Sequence, residues 1–193
     1  MTAQAAARGF LLALFAASSA PAAEDVSVET QRRGEAVEIT CRATVRAPRD
    51  LIWRTLTDYR RLAEFVPGML KSRVLEVQGP VSVVEQQGEA RFLFFSSPIN
   101  VTVMTTDRPP DLIEVRLLRG NLKRLEGAYR IEDLGDGRFR LHWRGLIEPG
   151  EPMPPLIGEL LMRANIADQF EGMVQEIERR ERLRSGAGPG KGP

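Results

Sequence analysis

Reactive and metal-binding side chains are scarce in this chain. Its 193 residues include one cysteine and one histidine. A single cysteine excludes a disulfide framework within the chain, and these two side chains are too few for the usual zinc sites. The formal net charge is only +1, whereas nucleic-acid binding needs a strongly basic surface. We therefore expect no metal, no cofactor and no nucleic-acid partner.

Long apolar runs are missing as well. The run at residues 10–17 is far shorter than the roughly 20 residues that a membrane-spanning helix needs. It follows Arg8 and precedes the small residues at 18–22, a pattern typical of a cleaved signal peptide. We expect residues 1–23 to be that signal peptide, with cleavage near Ala22 or Ala23. The mature chain should then be periplasmic or secreted and have no transmembrane segment.

The rest of the sequence predicts one domain over residues 24–184 and a flexible Gly/Pro-rich tail over residues 185–193. Apolar and polar residues alternate over residues 36–46, as in a half-buried strand. Two short helices follow, one opened by Pro48 and one at about residues 59–65. Seven further candidate strands, separated mostly by Gly and Pro, cover residues 69–78, 81–87, 90–96, 99–107, 111–119, 122–134 and 138–148.

One long amphipathic helix, at about residues 156–183, ends the predicted domain. Its apolar stripe is expected to include Leu160, while Gln169, Gly172 and Glu176 are expected on the opposite side. Short loops between successive strands imply an antiparallel sheet, so the fold class is α+β. The helix should cover the apolar face of the sheet, and a concave apolar space between them is the default ligand site.

Three sequence elements carry a family resemblance. Residues 47–59 read Ala-Pro-Arg-Asp-Leu-Ile-Trp-Arg-Thr-Leu-Thr-Asp-Tyr, residues 65–68 read Phe-Val-Pro-Gly, and residues 127–129 read Gly-Ala-Tyr. Together they resemble the START-like superfamily, also called SRPBCC, in its polyketide cyclase/dehydrase and coenzyme Q-binding-like branch. The resemblance covers about residues 36–183. It implies a helix-grip fold, in which a curved antiparallel sheet of about six or seven strands surrounds the C-terminal helix.

The same resemblance implies a cavity that binds a hydrophobic small molecule or lipid, of which an isoprenoid quinone is one candidate. Two alternatives stay open at this point. One is a polyketide cyclase/dehydratase-like enzyme, and the other is a protein-interaction module with a filled core. A transient contact with a membrane surface is also left open.

The candidate ligand-binding residues come from the two short helices, the strands and the last helix; alternation fails over residues 90–96, where an aromatic could project to the cavity mouth. The candidates are Trp53, Phe65, Phe94, Val103, Val115, Tyr129, Trp143, Met162, Arg163, Ile166, Phe170 and Met173. Arg163 is the charged member of this set, and an inward guanidinium would hold the polar head of a ligand. Pairing with Glu159, one helical turn earlier, or snorkelling to solvent is the structural alternative.

Cys41 and His142 could in principle form a nucleophile and its base. Such a pair must lie within hydrogen-bond reach. Cys41 shares the parity of the apolar residues of its strand, whereas His142 alternates in phase with Arg140 and Arg144. The sequence therefore predicts a buried cysteine, a surface histidine and no catalytic residue.

Overall fold

The computed structural model describes residues 24–92, 95–151 and 155–186. The predicted signal peptide, Phe94 and residues 187–193 of the predicted tail lie outside the described residues. The strands are β1 (Glu24–Arg33), β2 (Ala36–Arg46), β3 (Met69–Gln78), β4 (Val81–Phe92), β5 (Phe95–Arg108), β6 (Leu112–Gly120), β7 (Leu122–Gly135) and β8 (Arg138–Pro149). The helices are α1 (Arg49–Leu56), a 3₁₀ turn at Leu62–Glu64, and α2 (Pro155–Arg184).

The eight strands form one antiparallel sheet in the order β1-β2-β8-β7-β6-β5-β4-β3. From β3 to β8 each strand pairs with the next along the chain, and α1 and the 3₁₀ turn occupy the single crossover, from β2 to β3. Helix α2 contacts β1 and β2 near one edge of the sheet and β4 near the other. The curved sheet thus surrounds the helix, and the predicted α+β helix-grip fold is confirmed.

Strand β1 was not predicted from the sequence. It pairs with β2 along the edge of the sheet, and only Val26 and Val28 of its ten residues are large and apolar. An edge strand of such polar composition lacks the regular alternation by which a half-buried strand is recognised. The sheet therefore has eight strands instead of the expected six or seven.

Strands β4 and β5 are longer than predicted because Gly88 and Pro98 do not interrupt them. The backbone N–H of Asn100 points toward β6 and donates to the side chain of Asn121 (2.8 Å). The nitrogen of Pro98, two residues earlier, faces the same way, beyond the end of β6 at Gly120. No ladder hydrogen bond is lost there, which is where a sheet tolerates proline. The second predicted helix, at residues 59–65, is only the 3₁₀ turn at Leu62–Glu64.

The buried face of α2 is wider than predicted and is rotated. Leu160 is 47% exposed, whereas its neighbour Leu161 is 3% exposed. Gly172 and Glu176, expected on the solvent side, are buried. The predicted stripe assumes that a helix packs on one flat layer. Here the sheet curves around α2, and the segment at Phe65–Pro67 covers part of its polar side as well. No helix in the described part of the chain has a stretch long and apolar enough to cross a membrane.

Candidate functional site

A cavity with two chambers lies between the concave face of the sheet and α2. The inner chamber has a volume of about 150 Å³. Its lining comprises Cys41, Leu56, Tyr59, Leu62, Val66, Met69, Gln86, Val103, Thr105, Ile113, Val115, Leu125, Tyr129, Trp143, Ile147, Ile166, Gln169, Phe170 and Met173. Most of these side chains are apolar, which is typical of a small-molecule pocket.

The outer chamber is larger, with a volume of about 340 Å³. It lies between the Gly68–Met69 turn, the paired ends of β4 and β5, the ends of β7 and β8, and the N-terminal half of α2. Six residues line both chambers, namely Met69, Gln86, Leu125, Ile147, Ile166 and Gln169. The two chambers therefore adjoin, and we call these six residues the junction.

The cavity brings together most of the residues proposed from the sequence. The inner chamber is lined by Val103, Val115, Tyr129, Trp143, Ile166, Phe170 and Met173, and the outer chamber by Met162 and Ile166. The predicted inward direction of Tyr129 and Trp143 is reproduced. Strands β7 and β8 pair so that these two residues lie opposite each other. Their ring centroids are 6.3 Å apart with planes tilted by 52°.

Three proposed residues lie outside the lining of both chambers. Trp53 and Phe65 pack against the core instead, and the guanidinium of Arg180 lies 5.3 Å from the centroid of the Phe65 ring. Arg163 is exposed. The alternative partner suggested for it, Glu159, instead accepts a hydrogen bond from Thr30 on β1 (2.8 Å). The Arg163 guanidinium therefore does not line the cavity.

Gln86 and Gln169 line the junction but were missed from the sequence. Gln86 lies two residues after Val84, which is fully buried on the concave face of β4, so strand alternation could have identified it. Gln169 was assigned to the solvent side of α2, and the curvature of the sheet makes that assignment wrong. Neither side-chain amide has a hydrogen-bond partner among the described residues.

Two tyrosine hydroxyls are further polar groups of the inner chamber, beside the hydroxyl of Thr105. The Tyr59 hydroxyl donates to Oδ1 of Asp107 at 2.5 Å. Burial, followed by the bond to Asp107, raises the pKa of Tyr59, and burial also raises the pKa of Tyr129. Both phenols therefore stay protonated at neutral pH, and neither is available as a base. Tyr59 gives its hydroxyl hydrogen to Asp107, whereas Tyr129 can donate to a ligand.

The cysteine and the histidine lie on opposite faces of the sheet. Cys41 is fully buried on the concave face, and burial raises the pKa of its thiol to about 12. His142 faces the convex side beside Arg42 and Arg144, where burial, then these guanidinium groups, lower its pKa. A nucleophile–base pair between them is excluded by the intervening sheet. Among the described residues, no three His, Cys, Asp or Glu side chains converge as a metal site would require.

Polar contacts at two points along α2, Asn165 and Arg180, hold the helix over the cavity. The Asn165 side chain accepts from the backbone N–H of Arg91 and donates to its carbonyl, both at 2.9 Å, as a neighbouring strand would. Farther along, Arg180 donates to Asp58 at 2.9 Å and to Glu176 at 2.7 Å. These bonds fix α2 to β4 and to the segment after α1.

Gly172 allows the closest approach between α2 and the chain before β3. A Cβ at this position would lie 2.4 Å from Cδ of Pro67 and 2.7 Å from the carbonyl oxygen of Phe65. Because real Cβ atoms do not approach other atoms so closely, only glycine permits this packing. The contact positions α2 over the inner chamber.

Comparison with protein families and with solved structures agrees with this architecture. A family model described as polyketide cyclase/dehydrase and lipid transport matches residues 36–180. The comparison with curated proteins finds no match.

Three solved structures illustrate the range of relatives with this fold. The Zhui aromatase/cyclase from Streptomyces sp. R1128 is 20% identical with a TM-score of 0.66, covering 80% of this chain and 99% of that chain. Human STARD10 is 10% identical with a TM-score of 0.60, covering 83% and 76%. A STAR-related lipid transfer protein from Xanthomonas axonopodis is 12% identical with a TM-score of 0.55, covering 80% and 99%. At these identities the likeness establishes the fold alone.

Proposed function

Because this chain belongs to the polyketide cyclase/dehydrase and lipid transport family, we propose that it binds a hydrophobic small molecule or lipid between the sheet and α2 without converting it chemically. The observation that carries this proposal is the two-chamber cavity. Its outer part alone has about 340 Å³, within the range of about 300–1,000 Å³ typical of ligand pockets. A module with a filled core does not fit a cavity of this size.

The affinity would come from burial of apolar ligand surface, at about 25 cal/mol for each Å² removed from water. The inner chamber supplies the apolar wall for that burial, including Trp143, Phe170 and Met173. A lipid or an isoprenoid quinone has the apolar area that such a wall would cover. We propose the isoprenoid quinone as one candidate within this class.

Native mass spectrometry of the purified chain tests the proposal, with organic extraction to identify any bound molecule. A ligand bound at one equivalent is the expected result. The variant Val115→Phe fills the inner chamber and should lose the ligand. Leu118→Phe, three residues later in β6 and 48% exposed, is the control that should retain it. Wild-type protein that carries no ligand and takes up no added lipid or quinone would contradict the proposal.

One observation favours a cyclase or dehydratase as a second candidate. Tyr59 lines the inner chamber, and its hydroxyl donates to the carboxylate of Asp107, so the cavity wall holds a positioned, protonated phenol of the type that can serve as a general acid. Turnover of a polyketide-like substrate that is lost in Tyr59→Phe, with ligand affinity retained, would favour the enzyme. Affinity without turnover would favour the binding protein.

We also propose that the chain is exported and works in the periplasm or outside the cell. The support is the sequence of residues 1–23, where Arg8 precedes an apolar stretch and small residues. Expression of the full chain followed by cell fractionation and N-terminal sequencing tests this. A mature N-terminus near Ala23 is the expected result, and an intact N-terminus in the cytoplasm would contradict it.

Ligand exchange at a membrane surface is the remaining proposal. Leu70 is 71% exposed and directly follows Met69, a junction residue. Leu160 is 47% exposed and precedes Leu161 of the outer chamber. Exposed apolar side chains beside a cavity mouth are suited to contact with a bilayer. Co-sedimentation with lipid vesicles should fall in Leu70→Ser but not in Val77→Ser, a control on the same strand, and equal losses would contradict it.

A further inference from the structure

Three uncharged polar groups of the cavity have no hydrogen-bond partner among the described residues, and they constrain the chemistry of the ligand. Gln86 on β4 and Gln169 on α2 both belong to the junction, so two side-chain amides flank the passage between the chambers. The Tyr129 hydroxyl lies farther in and also has no hydrogen-bond partner among the described residues. None of these polar atoms is among the fully enclosed unpaired atoms of the described residues. Each therefore keeps accessible surface in the cavity.

The charged side chains around the cavity disfavour an anionic ligand. Within the described ranges, no Asp, Glu, Lys, Arg or His residue lines the inner chamber. Among the described residues, the charged side chains that line the outer chamber are those of Glu89, which is paired with Arg91, and Glu151. A carboxylate entering this cavity would lose its hydration without meeting a cation, and burial of an unpaired charge is strongly unfavourable.

The sizes of the chambers place the ligand across the junction. The inner chamber, at about 150 Å³, is smaller than the pockets that hold typical small-molecule ligands. A ligand that uses the apolar inner wall must therefore extend outward past Gln86 and Gln169. A polar group in the middle of such a ligand would meet the two amides. Each glutamine amide carries two N–H donors as well as a carbonyl oxygen, and a protonated phenol also donates, so a ligand carbonyl at this level can accept a hydrogen bond.

We infer that the ligand is an elongated, uncharged molecule whose carbonyl group accepts a hydrogen bond from Gln86 or Gln169 at the junction, while its apolar end fills the inner chamber beside Tyr129. This inference rests on the proposed binding function and specifies the ligand class for that site. It distinguishes ketones, esters and quinone-like carbonyl compounds from free fatty acids. A free fatty acid at neutral pH would bring a carboxylate to a wall that offers it no cation.

Displacement of Nile red, an uncharged fluorophore with a ring carbonyl, tests this ligand class on the full chain. The competitors are a long-chain ketone whose carbonyl lies near mid-chain and the fatty acid with the same number of carbons, at about pH 8, where the acid is ionised. The ketone should displace the dye at a concentration at least about tenfold lower, because the carboxylate must be desolvated without a partner. Equal or stronger displacement by the fatty acid would overturn the inference.

Two leucine variants test the role of the glutamines. Gln86→Leu and Gln169→Leu keep the approximate side-chain volume and remove the amide. Each should weaken ketone binding about three- to tenfold, the range expected for one net hydrogen bond. Gln175→Leu, on the exposed side of α2, is the matched control and should bind as the wild type does.

The outcomes separate this inference from the proposed function. If both leucine variants fold, as judged by thermal unfolding, and bind the ketone as tightly as the wild type, the role of the junction is overturned while the binding function stands. If the wild type binds neither Nile red nor any competitor, the binding function fails and the inference fails with it. Ketone selectivity that is lost in either leucine variant supports both.

Discussion

Replacement of Glu178 should stabilise the protein above neutral pH. Glu178 lies on α2, is only 5% exposed, and neither carboxylate oxygen has a hydrogen-bond partner among the described residues. Burial raises the pKa of this carboxyl from 4.5 to about 7, and the charge of Arg182 offsets only part of that effect. Glu178→Gln removes the ionisable group and keeps its shape.

The sign of the pH dependence follows from the raised pKa. Between pH 4.5 and about 7 the unfolded chain has released the proton of Glu178, whereas the folded chain still holds it. The free energy of unfolding therefore falls as the pH rises through this window. Since one pKa unit corresponds to about 1.4 kcal/mol, the contribution of Glu178 falls by at most about 3 kcal/mol.

Urea unfolding of wild type and Glu178→Gln at several pH values between about 5 and 8 measures this effect. The stability of the variant relative to the wild type should rise across this range by up to about 3 kcal/mol. Burial lowers the pKa of His142, but this residue is present in both proteins, so its contribution cancels in the difference. Glu171→Gln, an exposed residue two turns earlier on the same helix face, is the control. A difference that does not change with pH would refute the reasoning.

Two further substitutions test how α2 is held. Arg180→Met removes the guanidinium that bridges Glu176 and Asp58; it should cost about 1–3 kcal/mol in urea unfolding, because Glu176 is buried and loses a charged partner. Gly172→Ala places a methyl group against Pro67 and should cost about 1–3 kcal/mol by overpacking. Unchanged midpoints in either variant would show that the corresponding contact contributes little.

The strand half of the cavity could be predicted from sequence because alternation is a local property. In β8, apolar residues such as Leu141 and Trp143 alternate with charged or polar ones, and the structure buries the apolar set. A strand has only two faces. Once one face is solvated, alternate side chains must therefore point toward the opposite, buried face. The inward positions of Tyr129 and Val103 were assigned correctly in this way.

The helix half could not be predicted with the same accuracy. A helix has a continuous circumference, and the width of its buried sector depends on the curvature of whatever surrounds it. Gln169 and Glu176 are polar residues on that circumference, and only the wrapping of β4 and the 3₁₀ region around α2 puts them inside. Arg163 shows the converse error, since it lies close to the apolar stripe but the sheet does not extend over it.

The position of Cys41 gives the chain a built-in reporter of its own opening. It is the sole cysteine, it lies in β2 between the backbones of β1 and β8, and its thiol is not ionised at neutral pH. A thiol-specific reagent can therefore modify the native protein only when the sheet or the cavity opens. A bound ligand would slow that modification by the same factor by which it stabilises the closed protein, so labelling kinetics at this one atom can screen for ligands of unknown structure.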